Sequence, residues 1–503
     1  MHRDTLTLFK QPTWLKVGLS LIFLTMAYAW YGRVFNVKAE YLSTDILIYF
    51  LVCGFIVFIS YIRQQPHLSE PWRLVFKNKI AMSSAVILFF FIVVGLMDSI
   101  HFRITVNSNQ TPVSYSATMV SLLDVSLENI NNKTETTYSA PFSAFSYAKE
   151  NFINESGVKY RDYPRLKYAG AHLKNPKLEI GSDLIKKIIF SLILGVLISL
   201  LVISAVVFAI SRITNSSFTN SFAKIFNEEF DLPWNVMLLT TSVIIICSVV
   251  LFYMSTYYHV MGTDKVGQDV FYLTLKSIRT GLVIGTLTTL IMLPFAIALG
   301  VLAGYYKGIV DDIIQYIYTT LNSIPGILLI VAVMLAIDVY IENHADLFET
   351  AIERADIKLL ALCAVLGITS WTGLCRLLRG EVFKLRELEY IQAARALGVS
   401  NTKIIVSHIV PNVMHIVLIV VVLDFSGLVL AEAVLAYVGV GVDPSTISWG
   451  NMINSARLEL AREPVVWWSL ISAFSFMFAL VLAANLFSDA IRDAFDPRSQ
   501  GIK

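Results

Sequence analysis

Two carboxylates stand where carboxylates are costly. Asp424 and Glu432 lie in the otherwise apolar stretch 413–437, about two helical turns apart and so on roughly one face. Charges at membrane depth usually face a cavity or a partner, so the pair is a candidate wall or gate for a polar path. A structural contact with a neighbouring helix is the alternative. His408 and His415 also fall close to one face, but a metal site needs more ligands than that. The four cysteines, Cys53, Cys247, Cys363 and Cys375, sit in or beside apolar runs without a CxxC or Cys/His spacing. They read as small packing residues, and no metal or other cofactor is expected. The run Gly262 to Gly267 lacks the Gly-Lys ending of a phosphate loop, and none occurs elsewhere. The chain is therefore not expected to hydrolyse ATP itself. Neither G-x-S-x-G nor H-E-x-x-H is present, which argues against an intramembrane hydrolase.

A second constellation is mechanical. Between the apolar runs 358–376 and 413–437 lies a charged segment whose first part, to Leu397, has helical periodicity. Gly398 suits a left-handed helix stop, Ser400 or Asn401 can cap a second short helix, and Pro411 punctuates entry to the next apolar run. A helix–turn–helix elbow follows. Ala393 and Ala394 would let a partner's backbone approach closely, while flanking Glu and Arg side chains could fix the register of docking.

These features need elements that hold them in lipid. Of 503 residues, 56% are hydrophobic and 15% charged, against about 25% charged in soluble domains. The net charge of +2 suggests no nucleic-acid partner. About twenty apolar residues cross the hydrocarbon, as helix because backbone groups must pair internally. About ten spans are predicted, at 15–32, 45–62, 80–100, 185–210, 235–257, 274–303, 314–337, 358–376, 413–437 and 466–488, giving an all-α integral membrane protein. The first is read as a retained helix, since no convincing small-residue cleavage site follows it. Pro294 predicts a kink in span 274–303, and Pro325-Gly326 a bend in span 314–337. Lys and Arg in 63–79 (among them Arg63, Arg73 and Lys77) and in 377–412 place both segments in the cytoplasm by the positive-inside rule. Both termini are then cytoplasmic, and the acidic stretch 338–357, with Asp338, Asp346, Glu349 and Asp356, falls outside. The long segment 101–184, rich in Ser, Asn, Thr and Tyr, is expected to form a small extracytoplasmic cap, since Tyr and Phe recur through it. Asn-x-Ser/Thr triplets beginning at Asn109, Asn132 and Asn154 fit exposure there.

With those residues in place, a resemblance appears. Gln392-Ala393-Ala394, with Gly398 and then Pro411 thirteen residues on, is similar to the EAA loop of ABC-importer permeases, with Gln392 where the family commonly has Glu. The run His259, Gly262, Thr263, Asp264, Gly267 and Asp269 resembles the HPLGTDxxGRD segment of the dipeptide/oligopeptide permease family, C-type subunit. Val260, Met261 and Gln268 depart from that pattern. Ser370 to Arg376, Glu432 to Gly441, Ser448 to Met452 and Asp493 to Pro497 also match, and Trp72 to Lys79 looks like the family's entry segment.

The resemblance implies a type I importer permease core of about six spans in a bacterial inner membrane. It implies a translocation path formed with a second permease subunit as a pseudo-symmetric heterodimer, two ATP-binding subunits, and a periplasmic substrate-binding protein. The segment 389–411, with Glu389, would be the coupling element, and the family match at Glu432 implies a structural or gating role, while Asp424 stays a candidate for the path on its place in an apolar span alone. Peptides are the expected cargo, with nickel or another small solute as the alternative because related systems use nearly the same subunit. The expected organisation is 1–69 as a two-helix extension, 70–100 as the first family-like helix, 101–184 as the loop or cap, 185–258 as an inserted helix pair, and 259–498 as the core. A scaffold that no longer transports is disfavoured by the intact elbow.

Overall fold

Apolar runs flanked by local stop signals become helices nearly where the hydropathy puts them. The computed structural model describes residues 37–62, 66–107, 114–116, 118–153, 159–344, 348 and 350–495. The expected span 15–32, Arg63, the triplet starts Asn109 and Asn154, Asp346, Glu349 and the pair Asp496-Pro497 lie outside these residues.

The chain runs through β1 (Val37–Glu40), α1 (Ser43–Ile62), α2 (Pro66–Lys77) and α3 (Lys79–Asp98). Next come β2 (His101–Asn107), β3 (Ser114–Tyr115), β4 (Val120–Ser121), α4 (Leu122–Ser126), α5 (Glu128–Asn131), β5 (Glu150–Ile153) and β6 (Lys159–Asp162). The remaining elements are α6 (Pro176–Ile213), α7 (Phe218–Phe226), α8 (Trp234–Ser255), α9 (Val270–Tyr306), α10 (Ile309–Ser323), α11 (Gly326–Asn343), α12 (Ala351–Arg386) and α13 (Glu389–Ala396). The last three are α14 (Asn401–Val438), α15 (Trp449–Glu459) and α16 (Trp468–Phe495). Among the described residues, α3, α6, α8, α9, α11, α12, α14 and α16 are long and apolar enough to cross a membrane, and α1 is a further apolar helix.

One expectation needs correction. The run 314–337 is not one bent helix. It is broken at Ile324, whose backbone is extended, because proline's ring disfavours helical geometry in the residue before it and Pro325 supplies no N–H. Ser400 is the N-cap of a short α-helical stretch, Asn401–Ile404, and Pro411 stands in the first turn of the long stretch Val410–Val438, as expected; what the sequence did not show is that the two are joined. α14 runs unbroken from Asn401 to Val438 with a π-helical turn at Ile405–Ile409, the wider turn accommodating the proline that follows. Within the acidic stretch, Asp338 and Asp356 are not left to solvent. Asp338 pairs with Lys358 at 2.8 Å, and Asp356 is buried. Pro294 lies inside a continuous α9.

α9 and α12 form the axis of the bundle. Gly300 and Gly304 give α9 a small-xxx-small face. A Cβ at Gly304 would stand 2.6 Å from Val382 Cβ, and one at Gly300 would stand 2.8 Å from the Cys375 carbonyl. Cys363 and Cys375 are buried here and Cys53 is buried elsewhere, whereas Cys247 is exposed.

At the end where α9 begins, the described residues between 101 and 175 form short strands and helices, β2 pairing antiparallel with β1 and β5 with β6. Aromatic residues seat this layer on the helices. Tyr147 packs edge-on against Trp468 at 4.8 Å and donates to the Val465 carbonyl at 3.0 Å. This is the cap end; the end bearing α13 is the elbow end.

Candidate functional site

The elbow is an exposed helix on a long helical arm. In α13, Glu389, Gln392, Ala393, Arg395 and Ala396 are exposed and Ala394 is half-buried. Ile391 alone is buried, in an apolar cluster with Val382, Ile404, Ile409 and Val413. Gly398 follows with φ of +79°, the left-handed conformation glycine takes without a Cβ clash. Its neighbour Leu397 is 84% exposed. The elbow is tied to the ends of α9 and α12. Tyr305 donates to Asn401 Oδ1 at 2.7 Å, Arg386 donates to the Tyr305 carbonyl at 2.6 Å, and Lys307 pairs with Glu387 at 2.9 Å. Gln392 donates to the Glu387 carbonyl at 3.1 Å. Displacement of α13 would thus be transmitted to α9, α12 and α14 together.

The motif from His259 to Asp269 is brought together at the cap end as a knot. Asp269 caps α9, accepting from the Phe271 N–H at 2.8 Å, and its other oxygen meets His259 Nδ1 at 2.6 Å. Asp264 accepts from the N–H groups of Val266 and Gln268. Thr263 donates to the Thr137 carbonyl at 2.8 Å and accepts from the Ser139 N–H at 2.6 Å. Gly262 and Gly267 have φ of +70° and +78°, and a Cβ at Gly267 would lie 1.9 Å from the Glu135 carbonyl oxygen. Glu135 also accepts from the Lys167 and Tyr168 N–H groups at 2.9 and 2.8 Å, and stands 3.5 Å from His259 Nε2. The motif binds the cap layer to the head of α9.

Burial opposes a charged imidazole at His259, but Asp269 and Glu135 outweigh it and raise its pKa to about 9. A raised folded-state value stabilises fully below the ordinary value of 6.5 and is lost as pH rises through about 9. Hydrogen exchange of the 262–269 amides is therefore expected to quicken across that window, and His259→Gln to flatten the dependence. An unchanged profile in the variant would assign the effect to another group, such as Lys133, whose pKa is lowered by burial.

The two intramembrane carboxylates do not act as a pair. Glu432 is 2% exposed and accepts from Ser448 Oγ at 2.8 Å and the Gly450 N–H at 3.2 Å. It holds the start of α15 against α14 rather than facing open space. Asp424 is half-buried, with no hydrogen bond or ion pair among the described residues. Neither lines the small polar cavity formed by Asp338, Lys358, Asn451, Asn454 and the 439–442 turn. Glu432→Gln should weaken the bonds to Ser448 and Gly450 by roughly 0.5–1.5 kcal/mol and loosen α15, seen as faster exchange at Gly450 and Asn451. Exchange equal to that of the parent would count against the clamp.

A third constellation escaped the sequence reading. Tyr272, Lys276 and Arg279 share one face of α9 and meet a row of buried carboxylates. Tyr272 donates to Asp124 at 2.8 Å, and Lys276 reaches Asp124 at 2.6 Å and Asp98 at 3.7 Å. Arg279 bonds Asp45 of α1 at 2.7 Å and lies 3.9 Å from Asp356 of α12. His101 Nδ1 meets the other Asp45 oxygen at 2.8 Å, and the Thr44 hydroxyl bonds Asp356. The available signal was two cations inside an apolar span, which mark a site by default.

A family model described as binding-protein-dependent transport system inner membrane component matches residues 296–501. The chain is 30% identical over 245 residues to an oligopeptide transport system permease protein of Mycobacterium tuberculosis (49% of this chain, 78% of that one). It is 32% identical over 241 residues to a dipeptide transport system permease protein of Lactococcus lactis (48% and 64%). It is 31% identical over 240 residues to a glutathione transport system permease protein of Pectobacterium atrosepticum (48% and 73%). Among solved structures, an inward-facing methionine ABC transporter matches with 16% identity and a TM-score of 0.32, covering 44% of this chain and 97% of that one.

Proposed function

The chain belongs to the family of binding-protein-dependent transport system inner membrane components, and from that premise we propose that it is a permease subunit of an ATP-driven peptide importer. Three of the relatives are named as oligopeptide, dipeptide and glutathione permeases, and all three cargoes are peptides. In this reading the chain lies in a bacterial inner membrane with the elbow end in the cytoplasm and the cap end outside. It pairs with a second permease, receives substrate from a periplasmic binding protein, and couples to two ATP-binding subunits.

The observation that carries the reading is the exposed α13 joined through Gly398 to a helix that runs unbroken from Asn401 to Val438. Nucleotide binding draws the ATP-binding subunits together and displaces α13. Because α14 is continuous and Tyr305, Arg386 and Lys307 tie the elbow to α9 and α12, the displacement tilts the bundle between two access states. Glu389, Gln392, Ala393, Ala394 and Gly398 form or border the docking face. Pro411 places the π turn at the root of the arm. Glu432 clamps α15 to the moving helix, and Asp424 is the free carboxylate of the path. The motif from His259 to Asp269 keeps the cap fixed to α9 during the cycle.

The test is uptake of labelled di- and oligopeptides by vesicles holding this chain with its second permease, its ATP-binding subunits and its binding protein. Uptake is expected to need ATP and every subunit. Failure of this chain to co-purify with any ATP-binding subunit would overturn the reading, and uptake of a nickel complex but no peptide would replace the cargo.

A further inference from the structure

The connection between α6 and α8 carries a helix with three distinct faces. At about 100° per residue, Phe218, Phe222 and Phe226 of α7 form one row spanning roughly 80°. They are 43%, 44% and 73% exposed. Ser221 and Ile225 occupy the adjoining arc and are buried, Ile225 packing with Val207 and Ile210 of α6. Asn220 and Lys224, both exposed, lie on the remaining arc. One side of α7 therefore rests on protein, one is aromatic and uncovered, and one is polar.

The elements on either side say what covers the aromatic row. α6 and α8 are both of membrane-spanning length and composition, so α7 sits where the chain leaves the hydrocarbon and returns to it. The end of α6 continues the apolar row, since Ile213 is 81% exposed and Phe208 is 53% exposed. Arg212 lies over the Phe208 ring at 5.1 Å, an arrangement that lets the stem lie along apolar surface while the charge reaches water.

We propose that α7 is an in-plane interfacial helix, with Phe218, Phe222 and Phe226 in the acyl edge of the bilayer and Asn220 and Lys224 in the headgroup layer. The leaflet is the one at the elbow end. Lys79 pairs with Glu228 at 2.6 Å, and Arg73 and Lys77 each reach Asp231 at 3.0 Å. The loop after α7 therefore grips the end of α2 and the start of α3, and α3 ends at the cap. Through that loop, the bilayer surface holds α2 and α3 in place beside the mobile elbow, which gives the inserted helix pair a task.

The experiment uses the full chain with its partner subunits in phosphatidylcholine and phosphatidylglycerol nanodiscs, with Cys247→Ser removing the exposed native thiol. Bimane is attached at Phe222→Cys, at Phe226→Cys as a second probe of the row, and at Asn220→Cys. Acyl-brominated phosphatidylcholine is expected to remove roughly half or more of the emission at 222 and 226, while aqueous iodide quenches 220 and spares the row. Iodide quenching at 222 and 226 equal to that at 220 would place the row in water and overturn the proposal. Shielding of 222 and 226 from both quenchers would assign the row to a protein partner and overturn it equally. Because the readout is depth, loss of uptake leaves this result independent of the transport reading.

Discussion

Gly398→Asp is expected to lower ATP-driven uptake at least about tenfold, equivalent to a loss of roughly 1.4 kcal/mol or more in docking, while the chain still inserts. The structure separates docking from folding at this position. A Cβ at Gly398 meets nothing within 4 Å, and φ is +79°, so steric crowding within the chain is absent. The left-handed conformation costs most residues about 1–2 kcal/mol, with Asp and Asn the tolerated exceptions. The elbow is also held by Ile391 in its apolar cluster and by the Tyr305 to Asn401 bond. Aspartate should therefore leave the fold in place and act on whatever faces the turn. Gly398→Asn imposes a similar backbone demand without charge, so it should retain more uptake than the aspartate variant. The measurements are uptake in vesicles and co-purification of the ATP-binding subunits. Parental uptake by Gly398→Asp would remove the elbow from the coupling path.

Arg279→Met should destabilise the folded chain by about 3–5 kcal/mol, the usual cost of leaving a buried partner charge unpaired. Asp45, 1% exposed, would lose its bond from Arg279, and Asp356 would lose its nearest cation. His101 would remain hydrogen-bonded to Asp45, too little to replace a guanidinium that also donates to Thr44 at 2.9 Å. The double variant Asp45→Asn with Arg279→Met removes both members of the closest pair and should recover most of the loss. The difference between the single and double variants measures their coupling. Thermal unfolding in detergent, followed by loss of the monodisperse peak, reads both. If Arg279→Met matched the parent, the network would hold nothing, and the attachment of α1 to the core would have to lie in its apolar contacts.

The limits of the sequence reading are visible in these same residues. The elbow was legible to within a few positions. The fading of helical periodicity at Leu397 and the glycine after it are local signals, and local signals survive in a one-dimensional string. The continuation of its second arm was not legible. Pro411 reads as a boundary, and only the π turn before it lets the helix pass. Asp424 and Glu432 were found because a carboxylate in an apolar run is conspicuous. Their separate fates were hidden, because the partner of Glu432 is Ser448 on the next short helix. The motif around His259 was recognised as a motif. What it holds was not, since Glu135 and Ser139 arrive from a segment with no periodicity of its own.

The amino-acid sequence by itself determined that this chain spans a membrane many times, where most spans lie, and that an elbow lies between two of them. Each follows from interactions within a few helical turns: the cost of unpaired backbone in lipid, the run length that crosses it, and the freedom of glycine. Tertiary structure alone decided which buried charge meets which. Asp45, Arg279 and Asp356 come from three separate helices, and the pKa of His259 is raised against its burial because Asp269 and Glu135 close around it. A buried ion is tolerated only with its partner beside it, and nothing local in the chain names a partner hundreds of residues away.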